Sequence, residues 1–215
     1  MSTVDRVQGL LVADMLRGSL APGSWIRQDE LADRFGTSKI PVREALQRLA
    51  AMGLVRFEPN RGAVVPELTA ADAEENYALR LAMEPRLLQQ AMPNLSIVDL
   101  AEAELALSDE GSLTEANWRF HRALYRASGW QRGLAMVEIL NAAVAPYVLL
   151  YTQGLDGARH SDAEHLALLE ACRAGDAPSA IELLHHHLTA ASTALISYLD
   201  QTTNPDRPTS KDDTR

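Results

Sequence analysis

The chain has 215 residues, of which 47% are apolar, 5% are aromatic and one, Cys172, is a cysteine; its formal net charge is −9. This length and composition predict a globular protein of one or two domains, and the single cysteine excludes an intramolecular disulfide bond. Because the longest apolar run, residues 142–150, is too short to cross a bilayer and the N-terminus lacks the features of a signal peptide, we expect a cytoplasmic protein with no membrane partner.

The first 66 residues predict three helices followed by a β-hairpin. Apolar residues at three- and four-residue spacing predict helices over residues 4–18, 29–35 and 39–52. Pro22 and Gly23 predict a turn after the first helix, and Ser38 is the candidate N-cap of the third. The runs LVRFE and GAVV are β-type and are separated by PNR, which predicts the hairpin. This order of elements is typical of a winged helix-turn-helix.

The rest of the chain predicts a bundle of about six helices. They are expected over residues 70–91, 97–108, 113–128, 130–153, 162–174 and 177–200. Thr69 and Ser96 are candidate N-caps, loops are expected at 109–112 and 154–162, and the polar tail predicts disorder. The fold class is therefore mainly α: a winged helix-turn-helix domain (1–66), an α-helical effector-binding and dimerisation domain (67–201), and a disordered tail (202–215).

The third predicted helix has an apolar back and a basic front. On a helical wheel, Lys39, Arg43 and Gln47 share one side, and Ile40 falls on the same polar half. The opposite side is apolar and comprises Val42, Ala45, Leu46 and Leu49. Such a helix alone is more often a solvated face, but here it follows a helix and a turn, and residues 34–61 contain six basic and two acidic residues. Together these features predict a DNA-binding module.

The segment from Leu20 to Val65, with its pieces PVREAL and PNRGA, resembles the DNA-binding domain of GntR-family bacterial transcription regulators. The second half is similar to the FadR-type C-terminal domain, called FCD, of one subgroup. The resemblance implies a homodimeric regulator, by family habit a repressor, on double-stranded operator DNA. It places DNA contacts at the start of the third helix and at the wing: Ser38, Lys39, Ile40, Pro41, Arg43, Arg61 and Gly62. The family commonly has Ser-Arg-Thr-Pro where this chain has Ser-Lys-Ile-Pro.

Histidines are candidates for a metal site in the second half. Asn117 and His121 are four residues apart and share one helical face, and His165 and His187 fall on two later helices. Three imidazoles from three helices suit Zn²⁺, Ni²⁺ or Mn²⁺ with positions open for a ligand. A histidine beside apolar residues is more often a hydrogen-bonded core residue, and the run of histidines at 185–187 is a weak signal by itself.

The FCD resemblance favours the metal interpretation. Its metal-binding members have Asp or Asn four residues before one histidine and two further histidines at this spacing, which implies Asn117, His121, His165 and His187 as ligands. His185 and His186 are then bystanders. The resemblance further implies a small carboxylate effector that completes the metal's coordination. Asn117 replaces the commoner Asp, so the ligand set has one negative charge fewer.

Arg80 is a candidate effector-binding residue, because it matches an arginine near the family's cavity. The alternative is a surface or intersubunit arginine paired with Glu84, one helical turn later. Tyr125, Tyr147 and Tyr151 are candidates for lining a pocket, although core packing is the simpler interpretation.

Two functions from different classes follow. The first is a ligand-responsive DNA-binding regulator that is not an enzyme. The second is a metal-dependent hydrolase that uses the three-histidine site. Against the hydrolase, no HExxH motif occurs, and Glu164 is predicted to point about 100° away from His165 around the helix, so no general base is identified.

Overall fold

A computed structural model describes residues 2–59, 61–109, 113–152 and 157–203, in which a small winged domain precedes a helical bundle. The winged domain contains helices α1 (Thr3–Leu16), α2 (Gln28–Arg34) and α3 (Lys39–Ala51) and strands β1 (Trp25–Ile26), β2 (Arg56–Glu58) and β3 (Gly62–Val64). Helices α2 and α3 form the helix-turn-helix, and β2 and β3 form the predicted hairpin. The predicted mainly α fold class is confirmed.

The wing is one strand larger than predicted. Strand β3 lies between β1 and β2 and pairs antiparallel with both, with Ala63 opposite Ile26 on one side and Phe57 on the other. Strand β1 has two residues, which is too short for an alternating pattern to reveal it in sequence. It follows the predicted turn, where Gly23 has a φ of +73° and the Ser24 N–H donates to the Ala21 carbonyl.

Helix α3 is held to its domain by its apolar side. The four residues predicted to face the core are completely buried: Val42, Ala45, Leu46 and Leu49. Ser38 occupies the N-cap position, but its side chain makes no capping hydrogen bond, so that part of the prediction is wrong. The usual partner is the N–H of the third helical residue, as at Asp5, Asp72 and Asp99 in the capped helices of this chain. In α3 that residue is Pro41, which has no N–H.

Six helices of the described chain form the second domain: α4 (Ala70–Ala91), α5 (Ile97–Leu107), α6 (Leu113–Tyr125), α7 (Gln131–Thr152), α8 (Gly157–Arg173) and α9 (Ala177–Thr203). The side chains of Thr69 and Ser96 cap α4 and α5, which confirms both predicted N-caps. Short 3-10 turns follow α4, at Met92–Asn94, and α6, at Arg126–Ser128. None of the described helices is long and apolar enough to cross a membrane.

Several predicted boundaries need correction or lie outside the described residues. Helix α8 begins at Gly157, five residues before its predicted start and inside the predicted loop 154–162. Residues 157–161 have no apolar periodicity, so the sequence pattern did not reveal this first helical turn. Helix α9 continues to Thr203. Residues 110–112 and 154–156 of the two predicted loops and residues 204–215 of the predicted tail lie outside the described residues.

The two domains contact each other beside the linker. The backbone N–H of Leu68 donates to the Tyr147 hydroxyl of α7 over 2.5 Å. The Arg17 side chain, at the end of α1, lies 3.4 Å from the Glu115 carboxylate of α6. Because α4 begins directly after the linker, the start of the bundle is tied both to the winged domain and to α7.

Candidate DNA-binding surface and metal centre

The N-terminal end of α3 is exposed, as a DNA-contacting helix requires. The side chain of Ile40 is 70% exposed, so it is accessible to a DNA partner. Ser38, Lys39 and Arg43 are exposed beside it, and Pro41 is half-buried. Four of the five predicted contact residues at this end of α3 are therefore exposed, and Pro41 is not.

The basic residues of α3 differ in their surroundings. The Lys39 ammonium lies 2.7 Å from the Asp29 carboxylate of α2, and the Arg48 guanidinium lies 2.9 Å from Asp5 of α1. Arg43 makes no ion pair or hydrogen bond within the described part of the chain. Its five N–H donors are available to a base edge or a phosphate.

The tip of the wing places Arg61 next to Gly62. The Gly62 backbone has a φ of +104°, a conformation that side-chain-bearing residues rarely adopt. The Arg61 guanidinium lies 5.9 Å from the centre of the Trp25 ring, which is itself 45% exposed. This is within the range of a cation–π contact, so Trp25 supports the arginine that the sequence assigns to the wing.

Three histidines from three helices meet in the core of the bundle. His121 of α6, His165 of α8 and His187 of α9 are all buried, and each offers a ring nitrogen within 4.8 Å of the other two. This confirms that the three predicted ligands come together. His185 and His186 are exposed, as expected for bystanders.

The environment of His121 and His165 keeps both imidazoles neutral, the form that binds a metal. Burial, and then the neighbouring His165 and His187, hold the pKa of His121 well below its usual range. Burial likewise lowers the pKa of His165 to about 3. A neutral imidazole has one N–H and one lone pair, and a lone pair that is buried without a partner is costly.

The spacing of the nitrogens is compatible with a metal ion. The Nε2 atoms of His121 and His165 are 3.3 Å apart, slightly beyond the usual range of about 2.7–3.2 Å for a protein hydrogen bond. Two nitrogens at about 2.0–2.1 Å from one Zn²⁺ in tetrahedral coordination are about 3.3–3.4 Å apart. The residues present therefore fit a divalent ion.

Asn117 lies one helical turn before His121 on α6 and is half-buried. Its position matches the predicted fourth ligand, and its role as a ligand stays a prediction. As far as the described residues extend, the cluster itself contains histidines and no carboxylate.

Arg80 is buried, so the alternative of a surface arginine is wrong. Its side chain is 5% exposed, and its Nε donates to the Glu84 carboxylate over 2.5 Å, which confirms the predicted pairing one turn along α4. Its guanidinium also lies 4.9 Å from the centre of the Tyr77 ring. The helical wheel places Arg80 and Glu84 on one face, but it cannot show that this face is covered by other helices.

Two residues outside the predicted set of metal ligands contact the histidines. The Tyr125 hydroxyl lies between Glu84 and His121, and the Glu164 carboxylate lies 2.8 Å from Nδ1 of His187. The sequence predicts only that Glu164 points away from His165, its neighbour on α8; the structure adds that its carboxylate contacts His187 of α9. Tyr125 is completely buried, which supports core packing; the side chain of Tyr151 lies outside the described structure.

Comparison with known proteins gives a consistent result. The pattern of the family described as "Bacterial regulatory proteins, gntR family" matches residues 3–65, and that of "FCD domain" matches residues 75–190. The chain is 32% identical to the "Uncharacterized HTH-type transcriptional regulator BphR" of Paraburkholderia xenovorans, over 84% of this chain and 80% of that protein. It is 29% identical to a "Probable D-xylose utilization operon transcriptional repressor" of Paenarthrobacter nicotinovorans, over 88% and 87% of the two chains.

A solved structure shares the whole architecture. The fold matches that of McbR/YncC from Escherichia coli with a TM-score of 0.81 and 26% identity, over 95% of this chain and all of the other. The match therefore includes both the winged domain and the helical bundle.

Proposed function

This chain belongs to the GntR family of bacterial regulatory proteins and has an FCD domain after its DNA-binding domain, and from this premise we propose that it is a cytoplasmic repressor controlled by a small organic acid. The protein binds operator DNA as a homodimer through α3 and the wing. The acid binds in the helical domain, beside a divalent metal ion held by His121, His165 and His187. The hydrolase alternative is not supported, since the matched families and relatives are transcription regulators.

The observation that carries the effector part of the proposal is the buried cluster of three histidines, in which burial lowers the pKa of His121 and of His165. Three neutral ligands leave the full charge of a divalent ion uncompensated, and Asn117 adds no negative charge as a fourth ligand. A bound ion would therefore supply positive charge and open coordination positions to a carboxylate. Arg80 is the proposed second contact of the acid, because its buried guanidinium is linked through Glu84 and Tyr125 to His121.

On the DNA side, the proposal assigns different roles to the residues of α3. Arg43, which has no intramolecular partner among the described residues, contacts a base or a phosphate. Ile40 packs against the methyl group of a thymine, because its side chain has no hydrogen-bonding group and is 70% exposed. The uncapped N-terminus of α3, with Ser38 and Lys39, lies against the phosphate backbone.

Coupling between the domains runs through α4 and the linker. Helix α4 contributes Arg80 and Glu84 near the metal site, and its N-terminus lies next to the Leu68–Tyr147 contact between the linker and α7. An acid bound at the metal would favour one arrangement of α4 relative to α7. A shift between DNA-compatible and DNA-incompatible arrangements of the winged domains then requires only that the acid bind one of them more tightly.

The test is binding of the purified protein to DNA from the region upstream of its own gene. We expect retention that is specific against a scrambled fragment, that weakens steeply with salt, and that is lowered by one member of a panel of organic acids when divalent metal is present. Absence of specific retention at every salt concentration would overturn the regulator proposal. Retention that no acid changes, with or without metal, would overturn the effector part alone.

A further inference from the structure

A continuous chain of buried polar groups connects α4 with the metal-site histidine of α6. The Arg80 Nε donates to Oε1 of Glu84, the Tyr125 hydroxyl donates to Oε2 of Glu84 over 2.7 Å, and the Tyr125 oxygen lies 3.1 Å from Nδ1 of His121. Glu84 and Tyr125 are both completely buried. One of these contacts, between Glu84 and Tyr125, joins residues forty-one positions apart in sequence.

These hydrogen bonds determine which nitrogen of His121 has a lone pair. An ionised carboxylate only accepts hydrogen bonds, so the single hydroxyl proton of Tyr125 is directed at Glu84. Towards His121, the Tyr125 oxygen is then an acceptor, and Nδ1 of His121 must bear the proton. Nε2 is left with its lone pair, and it is Nε2 that faces His165 across 3.3 Å.

The position of the proton on His187 is determined in the same way, by a residue of α8. Its Nδ1 lies 2.8 Å from Oε2 of Glu164, and the carboxylate again accepts, so Nδ1 bears the proton and Nε2 is the nitrogen with a lone pair. Glu164 is partly buried, with a side chain 15% exposed. His186 also approaches Glu164, at 3.3 Å, but its side chain is 69% exposed and lies outside the cluster.

We propose that Tyr125 together with Glu84, and independently Glu164, are positioning residues of the metal site that hold His121 and His187 with Nε2 directed towards the ion. The inference rests on the proposed metal site and adds residues that act through its ligands. Arg80 belongs to this set because its positive charge compensates the buried Glu84 carboxylate. A hydrogen-bond partner on the second ring nitrogen orients a metal-binding imidazole and raises its basicity.

The competing explanation is that these hydrogen bonds only satisfy buried polar groups. That role would affect the free energy of unfolding of the metal-free protein without a specific effect on metal affinity. The positioning role predicts a loss of affinity and a changed ligand field even in variants whose metal-free stability is close to that of the original chain. Metal binding and metal-free stability therefore have to be measured on the same variants.

The experiment measures the affinity for Co²⁺ by competition with a chromophoric chelator, and the visible absorption spectrum of the Co²⁺ form. Tyr125→Phe removes the acceptor of His121, and Glu164→Ala removes that of His187; each should weaken Co²⁺ binding by about 10–100-fold and alter the spectrum. Glu164→Gln retains an oxygen that accepts from Nδ1, so it should recover part of the affinity lost in Glu164→Ala. Tyr147→Phe is the matched control: it also loses a hydroxyl hydrogen bond, to Leu68, but away from the histidines.

The possible outcomes separate this inference from the metal site itself. If the original chain binds no Co²⁺, the proposed metal site and the positioning roles both fail. If the original chain binds Co²⁺ and both Tyr125→Phe and Glu164→Ala bind it with the same affinity, only the positioning roles fail. If the control Tyr147→Phe lost as much Co²⁺ affinity as these variants, the positioning roles would also be overturned. Glu164 lies at the edge of the cluster, so its variants provide a result even if Tyr125→Phe does not fold.

Discussion

Replacement of Arg43 by alanine provides the sharpest test of the DNA-binding surface. Arg43 is exposed on α3, has no ion-pair or hydrogen-bond partner in the described chain, and lies opposite the buried apolar side. Its removal should therefore change the free energy of unfolding by no more than about 0.5 kcal/mol. A bidentate contact to a base contributes about 1–3 kcal/mol of discrimination, so operator affinity should fall by about 5–150-fold.

The other two basic residues of α3 provide an internal comparison. Lys39 is already paired with Asp29, and any DNA contact has to replace this exposed ion pair, which contributes about 0–1 kcal/mol. Lys39→Ala should therefore cost less affinity than Arg43→Ala. Arg48 is paired with Asp5 on the side of α1, so Arg48→Ala is the matched arginine control and should leave operator binding nearly unchanged.

Fluorescence anisotropy with a labelled operator fragment and a scrambled fragment, at several salt concentrations, distinguishes the types of contact. If Arg43 contacts a base, its loss lowers the affinity for the operator more than for the scrambled fragment. If it contacts a phosphate, both affinities fall together. The slope of log affinity against log salt concentration then decreases in magnitude by about 1. Unchanged operator binding by Arg43→Ala, or a greater loss in Lys39→Ala or Arg48→Ala, would refute the assignment of roles on α3.

Four further predictions concern the metal site, the operator and the core. His165→Ala and His187→Ala should each lower the metal-to-protein ratio measured by elemental analysis after dialysis, whereas His186→Ala should not. Removal of the metal with a chelator should lower the midpoint of thermal unfolding by about 5–10 °C, since a ligand at 100 times its Kd contributes about 2.7 kcal/mol and a chain of this size shifts by about 2–4 °C per kcal/mol. Ile40→Thr should change the preferred base at one operator position in a selection from random DNA, because it exchanges an apolar contact for a hydroxyl. Leu46→Ala should lower the free energy of unfolding in urea by about 2–5 kcal/mol, since the side chain is completely buried.

Each of these predictions has an outcome that contradicts it. An unchanged metal ratio in both histidine variants would exclude the three-histidine site, and an unfolding midpoint that the chelator leaves unaltered would show that no bound ion stabilises the fold. An Ile40→Thr variant that selects the same DNA sequences would remove Ile40 from the base contacts. A Leu46→Ala variant as stable as the original would mean that α3 is not held by its buried side.

At the metal site, residue spacing identified candidate ligands but not their neighbours on other helices. The sequence alone left open whether His121, His165 and His187 were ligands or ordinary core histidines, and the resemblance to the FCD family favoured a joint site. The structure brings them within 4.8 Å of one another. A helical wheel describes the faces of one helix, so it could not show that Glu164 meets His187 on α9.

Helices, caps and the two faces of α3 were determined by the sequence itself, because each depends on residues three or four positions apart. Thr69 and Ser96 cap their helices through Asp72 and Asp99, and Val42 and Leu46 lie on the buried side of α3 as their spacing requires. The local sequence also explains why the Ser38 side chain makes no capping hydrogen bond, because Pro41 has no N–H to donate.

Only the tertiary structure decided what surrounds the functional side chains. It buried Arg80 with Glu84, placed Tyr125 between Glu84 and His121, paired Lys39 with Asp29, and added β1 to the wing. These contacts either join different elements of the chain or depend on how the elements cover one another. Local periodicity specifies the faces of one element, but the partner of each face depends on how the whole chain packs.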